Sequence, residues 1–193
     1  VLNEVERDVP FYETSNGGMT ASGGEPLMQH KFLTEFFVGA HERGIHTALE
    51  TSGYASWKIF SKVLKHTDLV LYDLKTVDPK IHKEVTGVTN GLILENIERI
   101  SHEGVPTVVR IPVIPNYNIV TEEDIHGMGR FVKKLEGIER IDLLPYHRLG
   151  EIKYRWLDRK YKVKANPPRK EFMNKLREIV ESYGYKTSIG GIL

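Results

Sequence analysis

A parallel α/β fold, in which strands alternate with amphipathic helices, is what this sequence predicts. Short apolar runs with strand character begin near residues 19, 45, 69, 107 and 140. Segments whose apolar residues recur three and four apart separate them, and glycine or proline stands at most junctions. Such alternation implies right-handed crossovers and parallel pairing. A complete eight-unit barrel needs about 250 residues, whereas this chain has 193 and shows five good strand-helix units. A partial (β/α) barrel therefore fits better. A doubly wound open sheet is the structural alternative, because periodicity does not report how a parallel sheet closes.

The opening residues 1 to 16 have the character of a helix tail and loop. A strand over 19 to 22 is bracketed by the pairs Gly17-Gly18 and Gly23-Gly24. The next helix aligns Leu33, Phe36, Phe37 and Ala40, with Gly44 as its stop. After a strand over 45 to 51, Ser56 is placed to cap a helix carrying Trp57, Phe60 and Leu64 on one face. The strand over 69 to 75 begins with an almost continuous apolar run, as a doubly covered strand requires. A short Pro-initiated turn at Asp78-Pro79 precedes a helix around 91 to 102 with Ile93, Ile97 and Ile100 inward. The fourth strand covers 107 to 114. Thr121, followed by Glu122, Glu123 and Asp124, starts a helix with Ile125, Met128, Val132 and Leu135 buried. A fifth strand covers 140 to 146. After a polar, aromatic loop, Pro168 can open a last helix with Phe172, Leu176, Ile179 and Tyr183 inward and Gly184 at its end, and 186 to 189 reads as a short final strand.

Composition narrows the function. Lys+Arg 27 against Asp+Glu 26 gives a net charge of +1, so nothing attracts a phosphate backbone non-specifically and no nucleic-acid role is expected. No apolar run approaches the roughly 18 to 20 residues that span a bilayer, and the first residues lack the basic and apolar regions of a signal peptide, so a cytoplasmic protein without a membrane role is expected. The chain contains no cysteine. Within it, disulfides, thiolate zinc sites, a cysteine nucleophile and a cysteine-held iron-sulfur cluster are excluded.

In both parallel architectures ligands bind at the carboxyl ends of strands. There stand Ser22-Gly23-Gly24-Glu25-Pro26, Glu50-Thr51-Ser52-Gly53, Asp73-Leu74-Lys75 and Tyr146-His147, with Arg110 inside the fourth strand. Singly, each is an ordinary turn or strand-end residue; their coincidence suggests a site. A side-chain-free Gly23-Gly24 turn exposes main-chain groups to an ammonium or carboxylate, with Glu25 adding negative charge. Lys75 or Arg110 can hold a carboxylate, and Asp73 or Glu50 can accept bonds from ribose hydroxyls. An amino acid joined to a nucleoside would satisfy them all. No phosphate-binding glycine loop of the common types is present.

The segments GGMTASGGEPL, GIHTALETSGY, TDLVLYDLK, HKEVTGV, VRIPVIP and LLPYHRLGEIKY, in this order over nearly the whole chain, resemble the radical S-adenosylmethionine enzymes that activate glycyl radical enzymes, the pyruvate formate-lyase activating enzyme family. The ETSGY form resembles the branch with an extra ferredoxin-like insert; the formate-lyase activase itself has Asp at the position of Glu50. The resemblance implies a partial (β/α)6 barrel that binds S-adenosylmethionine and a 4Fe-4S cluster. It also implies a 5'-deoxyadenosyl radical that takes hydrogen from a glycine of a partner enzyme, with flavodoxin or ferredoxin as electron donor. By resemblance, Gly23, Gly24 and Glu25 match the motif receiving the methionyl amino group. Asp73 and Lys75 match contacts to ribose and methionyl carboxylate, His147 a further ligand contact, and Arg110 a basic residue of the cavity. Glu50, Thr51 and Asp73 match a small monovalent-cation site, and Lys75, Arg110 and His147 are the candidate catalytic residues.

The family holds its cluster with Cys-x-x-x-Cys-x-x-Cys after the first barrel strand, and this chain has none. The expectation is a single partial-barrel domain, 1 to 193, forming the C-terminal part of a longer protein, with the first strand-helix unit and cluster loop preceding Val1. As it stands, the chain should be inactive and bind the ligand weakly or undetectably. Two other classes stay open: a cluster-free binding or scaffold protein derived from the family, and a barrel lyase or isomerase using Glu50, Lys75 and His147 as acid-base groups.

Overall fold

The structure, a computed structural model, describes residues 1–156, 158, 160–161 and 163–191. Its strands are β1 (Met19–Ala21), β2 (Thr47–Thr51), β3 (Leu69–Asp73), β4 (Thr107–Val113), β5 (Ile138–Pro145) and β6 (Thr187–Ile189). They form one sheet in the order β1-β2-β3-β4-β5-β6. Sheet order thus follows chain order, and the registers of β1 with β2, β2 with β3 and β5 with β6 are parallel. The partial parallel barrel type of fold expected from the alternation is what the chain adopts.

Two compact units make up the chain: Val1–Asp73 with Gly91–Val109 and Leu135–Glu139, and Leu74–Asn90 with Arg110–Lys134 and Arg140–Leu193. In the first, α3 (His30–His41), α4 (Trp57–Leu64) and α6 (Gly91–Glu103) carry the apolar stripes read from the sequence. Leu33, Phe37, Phe60, Val63, Ile93, Ile97 and Ile100 are buried with Leu49, Val70 and Tyr72. The Tyr72 ring stacks on Phe60, the centroids 6.5 Å apart and the planes 1° from parallel. Residues 1 to 16 are more helical than the tail and loop expected: α1 (Leu2–Glu6) and α2 (Val9–Ser15) are short helices with no buried residue, so no apolar stripe announces them.

The second unit holds α5 (Pro79–Thr86), α7 (Glu122–Val132), α8 (Gly150–Trp156) and α9 (Lys170–Glu181). At the start of α7 the Asp124 carboxylate accepts the Thr121 N–H at 2.7 Å and the Val120 N–H at 2.9 Å. Two expectations need correction here. The Asp78-Pro79 turn continues into the eight-residue α5, whose first N–H groups, of Lys80 and Ile81, bond the Asp78 carboxylate at 2.7 and 2.9 Å. The inner face of α9 is Met173, Leu176 and Val180, with Phe172, Ile179 and Tyr183 half-buried at its border. Three such side chains each contribute about 1.5–3 kcal/mol on burial, so that row fixes the helix's rotation. Part of the aromatic loop is α8, and Leu157, Arg159 and Lys162 of the same segment lie outside the described residues.

Candidate functional site

In the first unit the site residues gather where β1 and β2 end. Gly23 has φ +133°, a conformation other residues rarely adopt, and an added Cβ there would meet nothing within 4 Å. The glycine is therefore required by backbone conformation and not by crowding. Both Gly23 and Gly24 are exposed, while Glu25 is half-buried beneath them.

The Glu25 carboxylate is bound from four directions. Oε1 accepts the Thr51 hydroxyl at 2.7 Å and the Leu27 N–H at 3.2 Å; Oε2 accepts the Ser52 hydroxyl at 2.6 Å and the Ser52 N–H at 2.9 Å. The Leu27 bond also caps the single 3-10 turn Pro26–Gln29. Thr51 in turn accepts the Gly53 N–H at 3.0 Å, and the buried Asn96 of α6 donates to the carbonyls of Gly53 at 2.7 Å and Ala55 at 2.8 Å. Burial first, and the Glu25 charge second, push the Tyr72 hydroxyl well above its ordinary pKa. Tyr72 therefore stays a neutral donor, to the Ile93 carbonyl at 2.6 Å.

Sheet register sorts the remaining acids. Glu50 pairs with Leu71 and Thr51 with Tyr72. Because successive side chains alternate, Glu50, Leu71 and Asp73 share one face, and Thr51 and Tyr72 the opposite face with α4. The side chains of Glu50 and Asp73 are thus brought to the same side, but Thr51 points away from them and its hydroxyl is engaged by Glu25 and Gly53. Among the described residues no group of three or more His, Cys, Asp or Glu is arranged to hold a metal ion.

In the second unit Lys75 lines a cavity of about 480 Å³ with Thr86, Pro112, Ile114, Tyr117 and Asn118. Arg110 is half-buried on β4, on the same face as Pro112, while Val109, Ile111 and Val113 alternate with them. The Leu74 N–H bonds the Arg110 carbonyl at 2.9 Å, and the Tyr146 N–H bonds the Val113 carbonyl at 3.0 Å. His147 follows β5 and is exposed, outside the residues that line this cavity. Tyr161 donates to the Tyr146 hydroxyl at 3.0 Å; burial, then that bond, raises the Tyr161 pKa.

Three polar residues hold these segments; Ser52 belongs to a strand-end segment singled out by the sequence, and Asn96 and Asn118 do not. Ser52 and Asn96 fix the end of β2. Asn118, 2% exposed, donates to the carbonyls of Lys75 at 2.7 Å and Pro112 at 2.5 Å and accepts the Ile114 N–H at 2.9 Å. Asn96 left a signal in the sequence, a polar residue within the apolar stripe of Ile93, Ile97 and Ile100. Asn118 left none beyond its place in a turn.

Comparison with known proteins places this geometry in context. Residues 2–129 match the Radical SAM superfamily. The isethionate sulfite-lyase activating enzyme of Oleidesulfovibrio alaskensis is 47% identical over 161 residues, 82% of this chain and 51% of the relative. The pyruvate formate-lyase 1-activating enzyme of Escherichia coli is 35% identical over 96% of this chain and 76% of the relative. Among solved structures, a domain of pyruvate-formate lyase-activating enzyme from Bacteroides vulgatus superposes with a TM-score of 0.77 at 34% identity, covering 91% of this chain and 99% of that one. The chain spans between about half and three quarters of the length of these curated relatives.

Proposed function

The chain belongs to the Radical SAM superfamily, in the branch of activating enzymes for glycyl radical enzymes, and from that membership we propose that it supplies the S-adenosylmethionine-holding part of such an activase. The observation that carries this reading is the Glu25 carboxylate, which ties an exposed glycine turn to the end of β2. That turn offers main-chain carbonyls of Gly23 and Gly24 to the methionyl ammonium. Asp73 accepts from ribose hydroxyls, Lys75 pairs with the methionyl carboxylate, His147 adds a contact, and Arg110 supplies positive charge. Glu50 and Asp73 are the acids for a small monovalent cation, the Thr51 hydroxyl being occupied within the protein.

The activity proposed for the whole protein is reductive cleavage of S-adenosylmethionine. Its 5'-deoxyadenosyl radical then abstracts hydrogen from a glycine of a partner enzyme, with an electron donor of the flavodoxin or ferredoxin class. A 4Fe-4S cluster supplies the electron in this chemistry. The donor set present here lacks any cysteine, so these residues do not fit a cluster and no step through one is assigned to them. We place the cluster loop in a longer protein of which this chain is one partial-barrel part. A cytoplasmic setting without nucleic acid or membrane is proposed, supported by the +1 charge and by the lack, among the described residues, of a helix long and apolar enough to cross a membrane.

Chemical-shift mapping on the nitrogen-15-labelled chain with millimolar S-adenosylmethionine tests the binding role. Shifts at Gly23, Gly24 and Asp73 are expected. Shifts confined to α9 and β6 would remove the assignment, as would the absence of any shift in the longer gene product that contains the chain.

A further inference from the structure

We propose that Ser52 is a positioning residue: by holding the Glu25 carboxylate, it fixes the Gly23-Gly24 turn in the shape that receives the ligand. The inference rests on reading that turn as the methionyl end of the site, and it gives Glu25 a different task from contact with the ligand.

An ionised carboxylate offers about four acceptor positions. In Glu25 four donors occupy them: the Leu27 N–H, the Thr51 hydroxyl, and the N–H and hydroxyl of Ser52. The two hydroxyl bonds, at 2.7 and 2.6 Å, have the short lengths of charge-assisted O–H···O contacts, about twice as strong as neutral ones. A substrate ammonium reaching this carboxylate would have to displace one of them. Ser52 alone fills Oε2, and with Thr51 on Oε1 it sets the carboxylate plane. Both hydroxyls have a second partner: Thr51 accepts the Gly53 N–H at 3.0 Å and Ser52 the Tyr54 N–H at 3.4 Å, and Gly53 is held through its carbonyl by Asn96. A connected set of hydrogen bonds therefore runs from α6 through the end of β2 to Glu25, and ends at two exposed glycines with no side chains of their own to restrain them. The ligand-facing groups of the turn are then main-chain atoms, kept in place by a half-buried carboxylate that is bound within the protein.

The test compares Ser52→Ala, Ser52→Thr, Glu25→Gln and the double variant Glu25→Gln/Ser52→Ala in the 193-residue chain. Without ligand, Ser52→Ala should lower the backbone order parameters of Gly23 and Gly24 from rigid values to below about 0.6. It should also speed Leu27 amide exchange about tenfold, while Leu49 and Val70 in the strands exchange as before; Ser52→Thr should restore both. With S-adenosylmethionine as probe, Ser52→Ala and Glu25→Gln should each weaken binding, and the double variant should be no weaker than Glu25→Gln, since both act through one group. Unchanged glycine order and Leu27 exchange in Ser52→Ala would overturn the proposal. So would affinity losses that add, or a loss confined to Glu25→Gln. If neither the unaltered chain nor the longer gene product that contains it binds, the proposed function fails while the ligand-free measurements still decide the role of Ser52.

Discussion

Asn96 on α6 donates its side-chain amide to the Gly53 carbonyl at 2.7 Å, across 43 positions of sequence. It is fully buried, and a second bond to Ala55 uses the remaining N–H. Asn96→Ala removes both donors: the Ala55 carbonyl loses its partner, worth about 1–3 kcal/mol when left unsatisfied, while the Gly53 carbonyl keeps the Ala55 N–H at 2.9 Å. The expected loss is about 1–3 kcal/mol by urea denaturation, with the segment 50 to 55 showing the first increase in amide exchange. A loss below about 1 kcal/mol would mean that water replaces the amide without cost.

Gly53→Ala should be as damaging for a different reason. The residue has φ +74°, and an added Cβ would sit 1.8 Å from the Tyr72 hydroxyl. The left-handed backbone costs about 1–2 kcal/mol and overpacking a further 1–3 kcal/mol. The Tyr72 ring carbons Cζ and Cε2 would also lie 2.3 and 2.8 Å from that Cβ, so the diagnostic is the double variant Gly53→Ala/Tyr72→Leu: with the ring tip gone its urea-measured loss should fall short of the sum of the single losses, and strict additivity would contradict the clash.

These two residues show where sequence reading succeeded and where it stopped. The parallel order and five strands were legible because β-type runs and helical stripes differ in period, and observed strand ends fall within two residues of those expected. The helix α5 was missed because only His82 in it is buried, so no stripe exists to read, although Asp78, Pro79 and Gly87 mark both its ends. In the site, strand-end position singled out Glu25, Glu50, Asp73 and Lys75. Which face each occupies depends on register, and register moved Thr51 away from Glu50 and Asp73. The partners of Glu25 depend on a contact 27 positions distant, which no local pattern carries.

The Asp68 carboxylate predicts a pH dependence. Burial raises its pKa, but the Thr47 N–H at 2.7 Å, His41 at 2.9 Å and the Thr47 hydroxyl outweigh burial and lower it below 3.8. A depressed carboxylate contributes stability that is present above its unfolded pKa and is lost as pH falls through the native value. Asp68→Asn keeps the acceptor but removes the titration. The difference in urea midpoint between about pH 6 and about pH 3 should therefore be smaller in Asp68→Asn than in the unaltered chain. An equal difference would assign the acid limb to other carboxylates.

Asn118→Ala should loosen the main chain that carries Lys75, since it deletes the bonds to the Lys75 and Pro112 carbonyls and the acceptor for the Ile114 N–H. A cost of about 2–4 kcal/mol follows from the unsatisfied buried groups. In the chain's response to S-adenosylmethionine, shifts near Lys75 should weaken while those at Gly23 and Gly24 persist. Loss of every shift together would show global unfolding instead.

Anaerobic reconstitution with iron and sulfide, followed by a strong reductant and an assay for 5'-deoxyadenosine, compares the 193-residue chain with the natural gene product that contains it. The longer protein should cleave S-adenosylmethionine, and the cysteine-free chain should produce none. Turnover by the chain alone would contradict the assignment of cluster chemistry to other residues, and turnover by neither form would contradict the activase function and favour a cluster-free scaffold.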